Sequence, residues 1–392
     1  MAYGVRACLS AGTRTDPNAR CRPFVSGFRK KSCDHPLADT PQCARAASRV
    51  PLKENVRVTF KQTIRPTHED EMPENRNGPA SSAAIGNRLF REGRLSIGLT
   101  LPLLEADRIV ADFSEQIELA RRADALGYRA LWVRDVPLNS MDYPDPVGHL
   151  DPWVLLGALA SHTGRIALVS GAIVLTLRHP LHIAKGAASV NTLSQGRFIL
   201  GLGSGDRPAE YAAFGADPDQ RRDLYRRHWE TVAAAVGADS HVVPDRAPKG
   251  SPEFFLLPRP PRAVPLLAVG SGGQSVDWIA RHAIGWMTYH REPEAQRSRY
   301  SMWRAAVDRA VPGMFRAFGV AMRLELSADP DEPATDILLG YRSGRRRLAA
   351  LLREMRDSGT HHVALNLPAS PRPPRDVIEE LAAEVLPEFH VD

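Results

Sequence analysis

Two short glycine-rich stretches hold the residues best suited to chemistry. Residues 195–205 read QGRFILGLGSG, with Gly201, Gly203 and Gly205 around Ser204, and residues 270–275 read GSGGQS. A glycine has no Cβ, so backbone N–H groups beside it can come up against an anion or a flat ring. In the second stretch Ser271, Gly272, Gly273 and Ser275 offer N–H and hydroxyl donors where a helix is expected to start. The helix dipole favours a phosphate there. An ordinary strand-to-helix turn with an N-cap serine would carry the same letters, so the motif alone leaves both readings open.

Each stretch needs a strand in front of it and a helix behind. Residues 197–202 form a short apolar run closed by glycines, which suits a strand buried on both faces. The same texture recurs from residue 95 onward. Strands are expected over 95–101, 129–133, 165–175, 197–202, 264–269, 285–289, 317–326 and 362–367. Helices are expected over 109–126, 151–161, 180–193, 221–236, 276–282, 295–311, 346–357 and 377–386. Gly127 sits where a C-cap glycine belongs, and Asp151-Pro152 reads as an N-cap followed by proline in the first turn. Eight strands alternating with helices predict an α/β fold of the (βα)8 TIM-barrel type, with insertions after strands 4 and 7. A doubly wound sheet is the second choice. In a barrel the functional positions lie at the C-terminal ends of strands. These are residues 100–102, 134–137, 171–176, 203–207, 270–275 and 289–291.

The chain has 392 residues, with 43% hydrophobic and 24% charged content, as in ordinary soluble proteins. No apolar run approaches the length of a bilayer span, so a soluble, cytoplasmic protein without membrane contact is expected. The net charge of +6 invites a nucleic-acid reading. Residues 1–85, however, hold 14 of the 51 Lys+Arg and 8 of the 45 Asp+Glu, leaving 37 of each sign in the remainder. The excess belongs to this N-terminal segment, which is rich in Arg, Pro, Ser and Asn and is expected to be largely disordered. Nucleic acid is therefore not an expected partner. Cys8, Cys21, Cys33 and Cys43 all fall in the same segment without a CxxC pair, and no metal site is expected.

The run SGAIVLTLRHPLHIAKGAASVNTLSQGRFILGLGSGD, with GYRALWVRDVP before it and VGSGGQSVDWIARHAIGW after it, strongly resembles the bacterial luciferase-like flavin-dependent monooxygenases. The resemblance covers about residues 94–389, with separated motifs in the right order. It implies a (βα)8 barrel, a reduced flavin or deazaflavin at the C-terminal mouth, and usually a homodimer. It places Gly171 and Ala172 at a bulge beneath the flavin ring, often with a non-prolyl cis peptide. Gly203, Ser204, Gly205 and Asp206 match the turn beside the flavin side chain, with Arg207 as an added cation. Gly270, Ser271, Gly272, Gly273 and Ser275 match the phosphate loop.

Asp135 matches an acidic position at the end of the second strand, and Val136 stands where many relatives have a histidine. That histidine is an acid or base in some deazaflavin-dependent dehydrogenases, so its absence weighs against such chemistry. His149, in a loop expected over the mouth, and Arg178 and His179, after the third strand, complete the candidate catalytic set with Asp135. A structural or solvated role stays open for each. Trp153 and Tyr211 are candidates to line the ring pocket, whereas His361 and His362 fall at the opposite face. The reaction the resemblance implies is oxygenation of a small organic substrate by reduced FMN and O2, the flavin being reduced by a separate reductase or by NAD(P)H. Hydride transfer with a deazaflavin (coenzyme F-420), or flavin binding without turnover, are the alternatives.

Overall fold

Eight short strands, almost wholly buried, close on one another because each carries apolar side chains on both faces. They are β1 (Ser96–Leu101), β2 (Ala130–Val133), β3 (Ala167–Ser170), β4 (Phe198–Gly203), β5 (Leu266–Val269), β6 (Gly285–Tyr289), β7 (Ala317–Leu326) and β8 (His362–Asn366). Each pairs in parallel with the next, and β8 returns to β1 with Ser96 opposite His362. Eight outer helices alternate with them: α1 (Phe113–Leu126), α2 (Pro152–His162), α3 (Pro180–Leu193), α4 (Arg221–Val236), α5 (Val276–His282), α6 (Pro293–Ala310), α7 (Arg345–Asp357) and α8 (Pro374–Glu384). The result is a closed TIM barrel. The computed structural model describes residues 82–391 except 106–107, 141–142, 144–146, 239–240, 243–253, 261 and 368–370. The four cysteines, and the disorder expected before residue 82, lie outside the described residues.

Strand alternation sorts the core into two layers. Ile97, Leu99, Leu131, Leu168 and Leu200 face the helices, while Ala130, Trp132, Val169, Ile199, Leu267 and Met287 fill the barrel. The helix Ser82–Leu89 adds Ile85 and Leu89 to the inner layer and so closes the N-terminal end. Its first residues fall within the segment expected to lack structure, and the sequence reading did not mark it.

A hydrogen-bonded column runs up from this plug. Ser96 Oγ donates to Leu89 O (2.6 Å), His362 Nδ1 lies 2.7 Å from Ser96 Oγ, and Trp132 Nε1 donates to His362 Nε2 (2.9 Å). The indole donor makes Nε2 an acceptor, so the proton of His362 sits on Nδ1. Burial, with a smaller contribution from His390, pushes the His362 pKa down to about 3. The ring is neutral at pH 7.

Most element boundaries lie within three residues of the sequence reading, and two differences are larger. Helix α1 begins at Phe113 rather than 109, because Asp112 Oδ1 caps it by accepting from the N–H of Ser114 (2.8 Å) and Glu115 (3.4 Å). The third strand, expected over 165–175 with a bulge at Gly171-Ala172 implied by the family resemblance, is interrupted after Ser170 and resumes at Ile173–Val174. The insertion after β4 contains the helix Pro208–Ala213 and a two-stranded ribbon, and that after β7 contains the hairpin Thr335–Ile337 with Gly340–Ser343. Among the described residues no helix is long and apolar enough to cross a membrane.

Candidate active site at the open end of the barrel

The break in β3 sets the geometry of the mouth. Val169 lies opposite Ile199, and Ile173 lies opposite Leu202, so the β3 side carries one extra residue, a β-bulge at Gly171-Ala172. Ser170 fills the gap in the ladder: its Oγ donates to Gly201 O and accepts from Gly201 N, both at 2.9 Å. The Gly171–Ala172 peptide bond is cis. A Cβ on Gly171 would stand 2.6 Å from Cε3 of Trp132, the top of the column described above. One on Gly203 would meet Ala172 Cβ at 3.1 Å and Val269 O at 3.3 Å. The ends of β3, β4 and β5 thus come together through backbone, with no room between them for side chains.

The second glycine stretch follows β5 directly. Gly270, Gly272 and Gly273 all have positive φ, and a Cβ on Gly272 would lie 2.8 Å from the Tyr225 ring. Gln274 anchors the loop, donating to Arg222 O (2.8 Å) and Gly272 O (3.1 Å) while accepting from Arg226 Nε (3.2 Å). Ser275 caps α5 through Trp278 N (3.2 Å). The amides of Ser271 and Gly272 have no acceptor among the described residues, and the Arg222 side chain stands against Gly273. Free N–H donors in a glycine loop at a helix N-terminus suit a phosphate.

Asp135 and Arg178 are brought together, but onto each other. Asp135 Oδ1 and Oδ2 accept from Arg178 Nη2 and Nε (2.8 Å each), and Oδ2 also accepts from Val174 N (3.0 Å). Arg178 reaches on to Asp151 Oδ2 (3.0 Å), whose other oxygen caps α2. This pair therefore fastens the strand where it resumes after the bulge. His179 caps α3, its Nδ1 accepting from Leu181 N (3.3 Å). His149 lies on a loop joined to the one after β1 by Gly148 N donating to Ile109 O (2.7 Å). Trp153 packs on Phe198 and Gly186 in the outer layer, away from the barrel interior. Tyr211 is buried, with its hydroxyl on Thr176 Oγ1 (2.7 Å) and Ser204 O, and so braces the GSGD turn.

Asp206 joins three elements. Its Oδ2 accepts from Tyr143 (3.0 Å) and Tyr289 (3.3 Å), so the loop after β2, the turn after β4 and the end of β6 meet at one carboxylate. Burial, and then the nearby Asp206 charge, push the Tyr289 hydroxyl up to about 12. Arg207 is buried, donates to Leu138 O (3.0 Å) and lies over the Tyr143 ring at 3.9 Å.

The sequence reading missed Tyr143 and Glu210, and it took in Tyr289 only as part of a window. Glu210 is 6% exposed and its Oε1 has no partner among the described residues. Burial raises its pKa, with Arg207 pulling the other way. Its only signal in the sequence was its place in the first turn of the helix that follows GSGDRP. Among the described residues no group of three or more His, Cys, Asp or Glu could hold a metal ion.

Comparison with known proteins adds to this geometry. The sequence model of the luciferase-like monooxygenases matches residues 95–383. An uncharacterised protein of Mycobacterium tuberculosis is 29% identical over 249 residues, 56% of this chain and 85% of that protein. The F420-dependent hydroxymycolic acid dehydrogenase of the same organism is 27% identical over 224 residues, 55% of this chain and 57% of its own. The 4-hydroxyprotoasukamycin monooxygenase of Streptomyces nodosus is 26% identical over 249 residues, 60% of this chain and 65% of its own. Among solved structures, the oxygenating constituent of 3,6-diketocamphane monooxygenase from Pseudomonas putida, in complex with FMN, superposes with a TM-score of 0.60. It covers 76% of this chain and 100% of its own at 15% identity, a likeness of fold.

Proposed function

The chain belongs to the luciferase-like monooxygenase family, and from that premise we propose that it oxygenates a small organic substrate with reduced FMN and O2. The observation that carries the reading is the convergence of three glycine-lined strand ends, at Gly171-Ala172, Gly203 and Gly270–Gly273, on adjacent strands. These glycines let the strand ends pack closely, so that backbone rather than side chains would support a flat ring, and a phosphate would be held by the unpaired amides of Ser271 and Gly272. When bound, reduced FMN supplies two electrons to O2, so that one oxygen atom enters the substrate and the other leaves as water.

The residues of this chain hold and enclose the reacting groups. Asp135 and Arg178 fix the bulge, Trp132 supports it from below, and Tyr143, Asp206 and Tyr289 draw three loops together above it. That upper contact ties the loops around the mouth to one another. The Asp135 carboxylate is taken up by Arg178 and Val174 N, so the end of β2 presents no free base. Removal of a substrate proton, as hydride transfer to a deazaflavin from an alcohol requires, is disfavoured on that account. A separate reductase supplies reduced FMN in this reading, and the active form is a homodimer.

Titration of the purified full chain with FMN and, separately, with deazaflavin tests the assignment through fluorescence quenching. Saturable FMN binding, with O2 and NAD(P)H consumed only when a reductase is added, is expected. Binding of deazaflavin alone would replace the oxygenase reading with the hydride-transfer one, and binding of neither would end both.

A further inference from the structure

A cavity of about 410 Å³ opens at the opposite end of the barrel, between the plug helix Ser82–Leu89, the turns leading into β2 and β3, and the closing helix Leu386–Phe389. Arg88, Arg91, Arg129 and Arg165 line it, with Asp124 as the sole carboxylate of its wall among the described residues. Asp124 offsets one of these charges at most, and its oxygens are already occupied by the backbone N–H groups of Gly164 (2.6 Å), Arg165 (3.1 Å) and Ile166 (2.7 Å).

The guanidinium groups donate to backbone carbonyls. Arg88 Nη2 donates to Arg165 O (3.4 Å), Arg165 Nη2 to Asp124 O (3.1 Å) and Arg129 Nη2 to His390 O (3.1 Å). Other arginines have carboxylate partners, as in Arg122–Glu379, Arg309–Asp277 and Arg353–Glu388, although Arg299 and Arg316 also rest on carbonyls. Arg88, Arg91 and Arg165 have no carboxylate partner among the described residues. Arg197 adds a buried charge behind the wall, hydrogen-bonded to uncharged oxygens of Ala160, Thr163, Ile166 and Ser194 and attracted by the Asp124 carboxylate. The facing wall is apolar, formed by Leu126, Ala382, Leu386 and Pro387.

We propose that this N-terminal cavity is a second binding site, separate from the mouth, for an organic diphosphate of nucleotide size. The phosphates would lie on the arginines, which match their oxygens as planar forks, and the organic part would lie on the apolar wall. The volume falls within the range of about 300–1,000 Å³ usual for small-molecule pockets.

Calorimetric titration of the full chain with ADP, and with pyrophosphate as a second probe, tests this at near-physiological salt. One saturable site per chain is expected, ADP binding more tightly than pyrophosphate. The double variant Arg88→Gln/Arg165→Gln should weaken both ligands at least about tenfold, since charge-assisted hydrogen bonds are lost, while FMN titration stays unchanged. Arg91→Gln, at an exposed residue bonded only to Asn87 O, should weaken ADP several-fold and provides the readout if the double variant does not fold. No saturable heat, equal binding by variants and parent, or displacement of ADP by FMN would each overturn the proposal. Loss of ADP binding with FMN binding intact leaves the function proposed for the mouth untouched.

Discussion

Lowering the pH from 7 to 5 should destabilise the barrel chiefly through its buried histidines, and His362 allows the effect to be isolated. Its ring is 0% exposed and its folded pKa lies near 3, against about 6.5 for an unfolded histidine. Between those values only the unfolded chain takes up the proton. Stability is therefore whole above about pH 6.5 and declines as the pH falls toward 3. At pH 5 the difference of about 1.5 pH units from the unfolded pKa corresponds to a loss of about 2 kcal/mol from His362. His361 and His290, both buried and pushed down to about 4, act in the same direction. The three together remove roughly 6 kcal/mol at pH 5.

The perturbation is His362→Gln, whose amide can accept from Trp132 and donate to Ser96 but does not titrate. Urea unfolding followed by tryptophan fluorescence at pH 7 and pH 5 gives the loss for each protein. The variant should lose about 2 kcal/mol less than the parent between the two conditions, the carboxylate contributions cancelling in the difference. Equal pH sensitivity in both proteins would refute the assignment of His362 as a neutral, buried acceptor.

Three further outcomes follow from the mouth. Asp135→Ala leaves Arg178 and Val174 N without their acceptor and should lower stability by about 3 kcal/mol, with Asp135→Asn recovering part of the loss in thermal melts. Gly203→Val puts a branched side chain against Ala172 and Val269 O; a cost of about 1–3 kcal/mol in stability is expected. FMN titration of the same variant should show a larger effect, a loss of at least about tenfold in affinity. Tyr289→Phe removes one donor to Asp206, worth about 1 kcal/mol, and should speed dissociation of bound FMN about fivefold in stopped-flow fluorescence, with melting nearly unchanged.

The strands that carry the site were legible because their signals are local. Residues 285–289 and 317–326 were bounded as they are found, and the glycine turns after β4 and β5 were marked by composition alone. The break in β3 left no such mark in the periodicity, since residues 165–175 read as one apolar run, and only the family resemblance pointed to a bulge at Gly171-Ala172. It depends on Ser170 bonding across to Gly201 and on the Trp132 ring beneath Gly171. The helix Ser82–Leu89 went unmarked because it is one short segment at the edge of a polar stretch, made stable by the barrel end it covers.

Charge pairing was the least legible feature. Asp135 and Arg178, 43 residues apart, were both named as candidates for chemistry, and their bond to each other exists only because β2 and β3 are neighbours. Tyr289 and Asp206, 83 apart, meet across the mouth, and Trp132 and His362, 230 apart, meet inside the barrel. The count of charges showed the body to be neutral, yet Arg88, Arg91, Arg129 and Arg165 line one cavity with Asp124 as its one carboxylate among the described residues. By itself the sequence determined which segments become strands, helices and glycine turns, since periodicity, caps and missing Cβ atoms act over a few residues. Only the closed barrel decided which side chains neutralise, support or leave one another free, because partners far apart in the chain become neighbours when the eighth strand meets the first.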